Sequence, residues 1–169
     1  MENFVAYADG SCVGPLNNRS AGWGFLIVQG DDGLGKGRGA VVKEKYGLVI
    51  TDISNVDWCG AMVESNNTAE LTALLMILRW VSSYEMKLNL LIRTDSKYAI
   101  EISEGRWKAR ENIELVELIR SSLFQNRKQH QIQIEHVKGH SGHRWNDRAD
   151  HLARCAAERK RPLDFNFWS

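Results

Sequence analysis

Cysteine is scarce in this 169-residue chain: Cys12, Cys59 and Cys155 are odd in number, far apart and without a CxxC pair. That excludes a disulfide framework and a zinc knuckle, so a packed core must hold the fold, and the thiols are expected to be reduced. No apolar run approaches the roughly 20 residues that span a bilayer, and the N-terminus lacks the charged-then-apolar form of a secretory signal. The expectation is a cytoplasmic protein with no membrane partner. An excess of charge of one sign is also missing. With 22 Lys plus Arg against 21 Asp plus Glu, the formal net charge is +1, so any nucleic-acid function must come from local clusters. The length suits one domain that buries its own core.

What is present begins with Phe4-Val5-Ala6-Tyr7-Ala8, an apolar β-prone run that leads into Asp9-Gly10-Ser11-Cys12. A carboxylate followed at once by glycine is read as a strand end with room for a ligand, although a turn aspartate bonded to its own backbone is the commoner outcome for such a segment alone. A turn at residues 14–18 and a second strand over 21–28 make a hairpin. Residues 30–39 carry Asp31, Asp32, Lys36, Arg38 and four alternating glycines. No helix opens behind them, so a mobile hairpin tip is expected rather than a phosphate loop. A third strand is expected over 40–51, and residues 58–63 continue it or add another.

Helical periodicity first appears where Leu71, Leu74, Leu75 and Leu78 recur at i, i+3, i+4 and i+7. Asn67-Thr68-Ala69-Glu70 has the capping-box form, which by itself makes Glu70 a capping residue and Asn66 and Asn67 ordinary turn and cap residues. Leu88, Leu90 and Ile92 alternate along a strand that ends in Thr94-Asp95-Ser96, before a helix over 97–103. A second acid thus stands where a strand gives way to a helix. A basic connection, Arg106-Trp107-Lys108-Ala109-Arg110, precedes a helix with Ile113, Val116, Ile119, Ser122 and Leu123 on one side. A strand over 131–137 follows, then a helix over 146–160 with Trp145, Ala149, Leu152, Ala153 and Ala156 inward and Asp150 on its first turns.

This order predicts an α/β fold with a mixed sheet of five strands, six if 58–63 forms one, flanked by helices on both faces. Ligands of such sheets bind near the carboxyl ends of parallel strands. Asp9 and Asp95 would lie side by side there, with Glu70 and Asp150 reaching in from helices. Converging carboxylates repel one another. Hard divalent cations remove that repulsion, and oxygen ligands without Cys or His in the shell suit magnesium or manganese.

Together, Asp9-Gly10-Ser11-Cys12, Ser65-Asn66-Asn67-Thr68-Ala69-Glu70-Leu71, Thr94-Asp95-Ser96-Lys97-Tyr98, and Val137-Lys138-Gly139-His140-Ser141-Gly142-His143 through Asn146-Asp147-Arg148-Ala149-Asp150 resemble type 1 ribonuclease H, with matching order and spacing from about residue 3 to residue 157. Any one motif is weak; four in sequence on the expected elements are specific. The resemblance implies the ribonuclease H-like fold, a catalytic domain over residues 1–158 and a C-terminal tail over 159–169. It also implies an endonuclease that cuts the RNA strand of RNA–DNA hybrids by two-metal-ion hydrolysis, leaving 3′-hydroxyl and 5′-phosphate ends. Asp9 would bridge two Mg2+ ions, for which Mn2+ could substitute. Glu70 and Asp95 would complete one side, and Asp150 would ligate the ion that holds the water. His140 matches the family's mobile histidine, which assists proton transfer or product departure, whereas His143 is read as structural.

By the same match, the backbone of Gly10, Ser11 and Cys12 with the side chains of Asn17 or Asn18, Asn66 and Asn67 would read 2′-hydroxyls in the minor groove of the hybrid. Ser96 and Asn112 match hybrid-contacting positions, and Ser65 with Asn112 would form part of a pocket for a DNA phosphate. A monomer is expected. The chain departs from the family where an arginine common two residues before Ser65 is here Val63. The basic, tryptophan-rich protrusion of many bacterial members is also missing, leaving Lys36, Arg38, Lys108 and Arg110 as candidates to replace it. Residues 30–62 are longer than usual, no hybrid-binding module is expected before the domain, and the tail offers Phe165, Phe167 and Trp168 to cover the sheet or basic residues to bind nucleic acid. The alternatives are an inactive hybrid-binding module, against which the intact acids argue, another nuclease of this fold, or a domain detached from a reverse transcriptase.

Overall fold

A computed structural model describes residues 1–139 and 141–164. Five strands, β1 (Glu2–Val13), β2 (Ser20–Gln29), β3 (Ala40–Leu48), β4 (Leu88–Thr94) and β5 (Gln131–His136), form one sheet in the order β3-β2-β1-β4-β5. The first three pair antiparallel as successive hairpins, and β1, β4 and β5 run parallel. The helices are α1 (Asn66–Ser83), α2 (Lys97–Ser103), α3 (Ile113–Arg127) and α4 (Arg144–Glu158). The mixed sheet between helices is therefore as expected. Among the described residues, no helix is long and apolar enough to cross a membrane.

Strand alternation divides the core into two layers. Phe4, Ala6 and Ala8 of β1 join Leu71, Leu74, Leu75 and Leu78 of α1, with Val116 and Ile119 of α3 behind them. Tyr7 points the other way, to Leu26, Val28, Trp145 and Ala149 beneath α4. Both helices come unusually close to the strands because glycine stands under them. A Cβ on Gly24 would lie 2.8 Å from the Ala153 backbone nitrogen and 2.7 Å from Leu152 Cβ, and one on Gly10 would lie 2.4 Å from the Glu70 nitrogen. Gly10 therefore opens the sheet to α1, and Gly24 opens it to α4.

Several boundaries differ from the sequence reading. Asp9 is not at a strand end: β1 continues to Val13, paired with β2 as far as Val13↔Ser20. Its pairing with β4 stops at Ala8↔Thr94. Asp9 thus sits at a fork, where β1 keeps one neighbour and loses the other. Helix α1 is capped by Ser65 and not Asn67, since Ser65 Oγ accepts from Thr68 N–H (3.1 Å) while Thr68 Oγ1 accepts from Ser65 N–H (3.0 Å). Residues 58–63 add no strand, and β3 ends at Leu48. Asp52 and Asn55 accept backbone N–H groups from Ser54 and Asp57 at 2.9 Å, which supplies local turns in place of a ladder. On α3 the inward face is Leu115, Val116, Ile119 and Leu123; Ile113, expected there, is exposed. Helix α4 starts at Arg144, two residues earlier than expected, because His143 caps it.

The loop over 30–39 is anchored instead of hanging free as a hairpin tip. Gly35 C=O accepts from Arg144 N–H (2.9 Å), and Arg38 C=O accepts from Trp145 Nε1 (3.0 Å). One turn further along α4, buried Arg148 donates twice to Glu44 of β3 (2.8 and 2.7 Å) and once to Leu163 C=O (2.7 Å). That contact ties the start of the tail to the sheet's outer strand. Phe165, Phe167 and Trp168 lie outside the described residues.

Gly24→Ala is expected to destabilise the fold by about 1–3 kcal/mol, since the added methyl meets helix backbone that cannot withdraw. Urea unfolding measures this, and an unchanged midpoint would mean that α4 does not depend on the close approach.

Candidate active site

Asp9 is only 4% exposed. It faces Gly24 across the β1–β2 pair, and its Oδ1 accepts from Gly10 N–H at 2.8 Å. Asp95 follows the last residue of β4, which pairs with Ala8, so the divergence of the two parallel strands leaves both acids at one opening. Its neighbour Ser96 caps α2 by accepting from Ala99 N–H (3.0 Å). Glu70 arrives from the opposite layer: with the cap formed by Ser65 and Thr68, its carboxyl has no capping duty, and Gly10 lets the helix backbone pass directly over β1. Carboxyl oxygens of Asp9, Glu70 and Asp95 all lie within 4.8 Å of one another.

Such proximity shows in their protonation. Burial, then the Asp95 charge, raises the Asp9 pKa to about 8 despite the Gly10 hydrogen bond, and Asp150 adds to the rise. Burial foremost, then the charges of Asp9 and Asp95, pushes Glu70 well above the usual carboxylate range. Glu70 Oε2 is sealed from solvent and has no hydrogen-bond partner. A buried oxygen left unpaired beside two further acids is the arrangement that a hard divalent cation satisfies. Gly139 closes the site from the far side: a Cβ there would lie 2.6 Å from Asp95 Oδ2, so a side chain at this position would displace the Asp95 carboxylate.

Asp150 is near but not in the three-residue cluster. It lies half-buried on α4, within electrostatic reach of Asp9, and its Oδ2 is 3.2 Å from Arg154. His140 lies outside the described residues. His143 has the structural place expected of it: nearly buried, it caps α4 and sits 3.1 Å from Arg93 Nη1. Burial, reinforced by the Arg93 charge, lowers its pKa and keeps the ring neutral.

The RNase H family profile matches residues 1–158. The chain belongs to the RNase H family. Ribonuclease H of Ruthia magnifica is 33% identical over 172 residues, covering 94% of this chain and 98% of that one. The N-terminal RNase H domain of a Mycobacterium tuberculosis protein, solved as a fusion with maltose-binding protein, superposes with a TM-score of 0.68 at 24% identity over 94% of this chain and 96% of that one. LC11-RNase H1, solved in complex with an RNA/DNA hybrid, gives a TM-score of 0.63 at 19% identity, covering 92% and 97%. Members of this family are divalent-metal-dependent hydrolases, and in this chain the carboxyl oxygens of Asp9, Glu70 and Asp95 are close enough together to hold such an ion.

The remaining residues of interest lie around that cluster. Gly10, Ser11 and Cys12 continue β1 beyond Asp9, half-buried, while Asn17 and Asn18 are exposed on the turn after it. Asn66 and Asn67 are exposed on the first turn of α1. The hydroxyl of Ser65 is already engaged with Thr68. Asn112 holds a left-handed backbone (φ 55°) and reaches Tyr98 OH at 3.5 Å. Tyr98, given no role in the sequence reading, joins Asn67, Trp107, Lys108 and Arg110 in lining a single cleft. Only its place beside the Thr-Asp-Ser motif hinted at this. Lys36 and Arg38 lie elsewhere, on the loop against α4, where Arg38 pairs with Asp32 at 3.6 Å.

Folded metal-free protein holds protons on Asp9 and Glu70 that the unfolded chain releases from about pH 4. Stability from these acids is complete below that pH and drains as pH rises through about 8. The Tm of chelator-treated protein should therefore fall between about pH 5 and about pH 8. Added Mg2+ or Mn2+ should raise it most at the upper end. Asp9→Asn should raise the metal-free Tm at about pH 8 and abolish the metal response. A metal response in wild-type protein that is equal at both pH values would contradict this account of the cluster.

Proposed function

We propose that residues 1–158 bind an RNA–DNA hybrid and hydrolyse its RNA strand with Mg2+, or Mn2+ in its place, leaving 3′-hydroxyl and 5′-phosphate ends. The observation that carries this reading is the meeting of Asp9, Glu70 and Asp95 within 4.8 Å, with Glu70 Oε2 buried and unpaired. Asp9, between the other acids, would hold two ions; Glu70 and Asp95 would complete one set of ligands, and Asp150 would serve the other. When bound, such ions supply positive charge at the attacking water and the leaving 3′ oxygen. The chain's own residues set where that charge sits. Gly10 N–H steadies Asp9, Gly139 confines Asp95, and the α1 cap frees Glu70. His140 is assigned, on the motif match, to proton transfer or product departure.

Substrate choice follows from what flanks the acids. The backbone of Gly10, Ser11 and Cys12 and the exposed side chains of Asn17, Asn18, Asn66 and Asn67 can meet 2′-hydroxyls, which a hybrid offers on one strand alone. Ser96 keeps its hydroxyl proton to donate while its oxygen caps α2. On the DNA side, Lys108 and Arg110 stand exposed beside Asn67, Tyr98 and Trp107, and Asn112 lies close by through Tyr98. This cleft, lined also by Glu111, takes the place of the missing protrusion, while Lys36 and Arg38 lie on the loop against α4. The four acids come from one chain, so the enzyme acts as a monomer. Its three free thiols suit a reducing compartment such as the cytoplasm.

Asp9→Asn is expected to lower hybrid cleavage by about 10³-fold or more while leaving hybrid binding intact. Labelled RNA–DNA, RNA–RNA and DNA–DNA duplexes provide the assay, and survival of the hybrid with wild-type enzyme and either metal would refute the reading. The double variant Lys108→Ala/Arg110→Ala should weaken hybrid binding about tenfold and reduce the dependence of log K on log salt by about 2, since each phosphate contact contributes about 0.9. An unaltered salt slope would remove the two residues from the interface.

A further inference from the structure

One row behind the acids, a second polar cluster crosses the sheet. Tyr7 pairs with Arg93 and Arg93 with Glu135, so the three stand abreast on β1, β4 and β5. They lie two residues, roughly 7 Å, back from the level of Asp9 and Asp95. Arg93 Nη1 donates to Tyr7 OH at 3.3 Å and lies 3.1 Å from His143 Nε2, while its Nε is 3.1 Å from Glu135 Oε1. Tyr7, fully buried, donates its hydroxyl to Asp31 and lies 3.4 Å from the same histidine nitrogen. The Arg93 guanidinium also sits 5.7 Å from the centre of the Tyr7 ring.

The members come from five places: β1, β4, β5, the loop over 30–39 and the cap of α4. None has a duty in hydrolysis as described above. Asp31 is the loop's contribution, and the loop's own backbone holds α4 at Arg144 and Trp145. His143 in turn caps the helix on which Asp150 rides. A cluster whose buried members, Tyr7 and His143, are held together with Arg93 and Asp31 favours one arrangement of its elements.

We propose that Asp31 is a positioning residue: by joining Tyr7, Arg93 and His143 it sets where the start of α4, and hence Asp150, stands relative to Asp9 and Asp95. The inference rests on the hydrolytic reading of that site. The loop over 30–39 is then a working part of the active site although it carries no ligand. Removing the Asp31 carboxylate leaves the Tyr7 hydroxyl without its acceptor in a buried place and releases the loop from the sheet. Asn at this position keeps an oxygen that can accept from Tyr7.

The test compares Asp31→Ala, Asp31→Asn, Tyr7→Phe and, as a neighbour on the same loop, Asp32→Ala. Three quantities are measured: kcat and KM on a hybrid, Mn2+ binding to the metal-free protein by calorimetry, and Tm. Asp31→Ala should lower kcat about tenfold and weaken Mn2+ binding by a similar factor, with KM for the hybrid within about twofold. Asp31→Asn should recover most of both losses, and Asp32→Ala should match wild type. Tyr7→Phe keeps the ring in the core and should reproduce the Asp31→Ala pattern, which preserves the test should Asp31→Ala fold poorly. Wild-type kcat and Mn2+ affinity in Asp31→Ala would overturn the proposal. Equal impairment of Asp31→Ala and Asp31→Asn, or a loss appearing in KM alone, would overturn it too. Failure of the hydrolytic reading looks different: wild type itself would not cut the hybrid, while the Mn2+ comparison would still report on Asp31.

Discussion

Mutual repulsion of buried carboxylates is the constraint on which this structure turns. Asp9, Glu70 and Asp95 are brought within 4.8 Å of one another in a place where burial already disfavours the charge of Asp9 and Glu70. Without a cation these two keep protons, with Asp9 shifted to about 8 and Glu70 held well above the usual carboxylate range. A hard divalent ion held there would offset that repulsion and give the unpaired Glu70 Oε2 a partner.

Holding such a cluster requires a scaffold that cannot relax away from it, and the close approaches supply one. Glycines at positions 10 and 24 bring α1 and α4 to distances at which any side chain would collide with helix backbone, and Gly139 brings the segment after β5 against the Asp95 carboxylate. The strands meet from one side by hairpin pairing and from the other by parallel pairing, and their divergence after Ala8 and Thr94 makes the opening that the acids line. Behind it, the Asp31–Tyr7–Arg93–His143 cluster stiffens the same elements from beneath. The order of construction is packing first, polar network second, carboxylates last.

Legibility in the sequence tracked how local each signal was. The Leu71 to Leu78 periodicity and the Trp145 to Ala156 stripe describe faces that the chain buries wherever the partner lies, and both helices formed with those faces inward, although their first residues differ from the expected ones. Where two local solutions competed, the reading slipped. Ser65 and Asn67 are both good caps, and Ser65 prevailed because Thr68 completes a reciprocal pair with it. Residues 58–63 look β-prone, but Asp52 and Asn55 bend the approach to them with side-chain hydrogen bonds. The loop over 30–39 looked mobile because its anchors, Arg144 and Trp145, lie more than a hundred residues away.

The sequence by itself determined the inventory: which acids are available, in what order, on which kinds of element, and that no disulfide or membrane span holds the fold. Motif order was enough to indicate the family, because hydrophobic periodicity and turn chemistry are written locally. Tertiary structure decided the distances. It put Asp9 at a fork inside a strand, kept Asp150 outside the three-residue cluster with Arg154 beside it, and joined Asp31, Tyr7, Arg93 and His143, which no spacing connects. The physical reason is that proximity across a sheet depends on register and on the side chains that glycine omits, and both exist only once the strands have paired and the helices have packed.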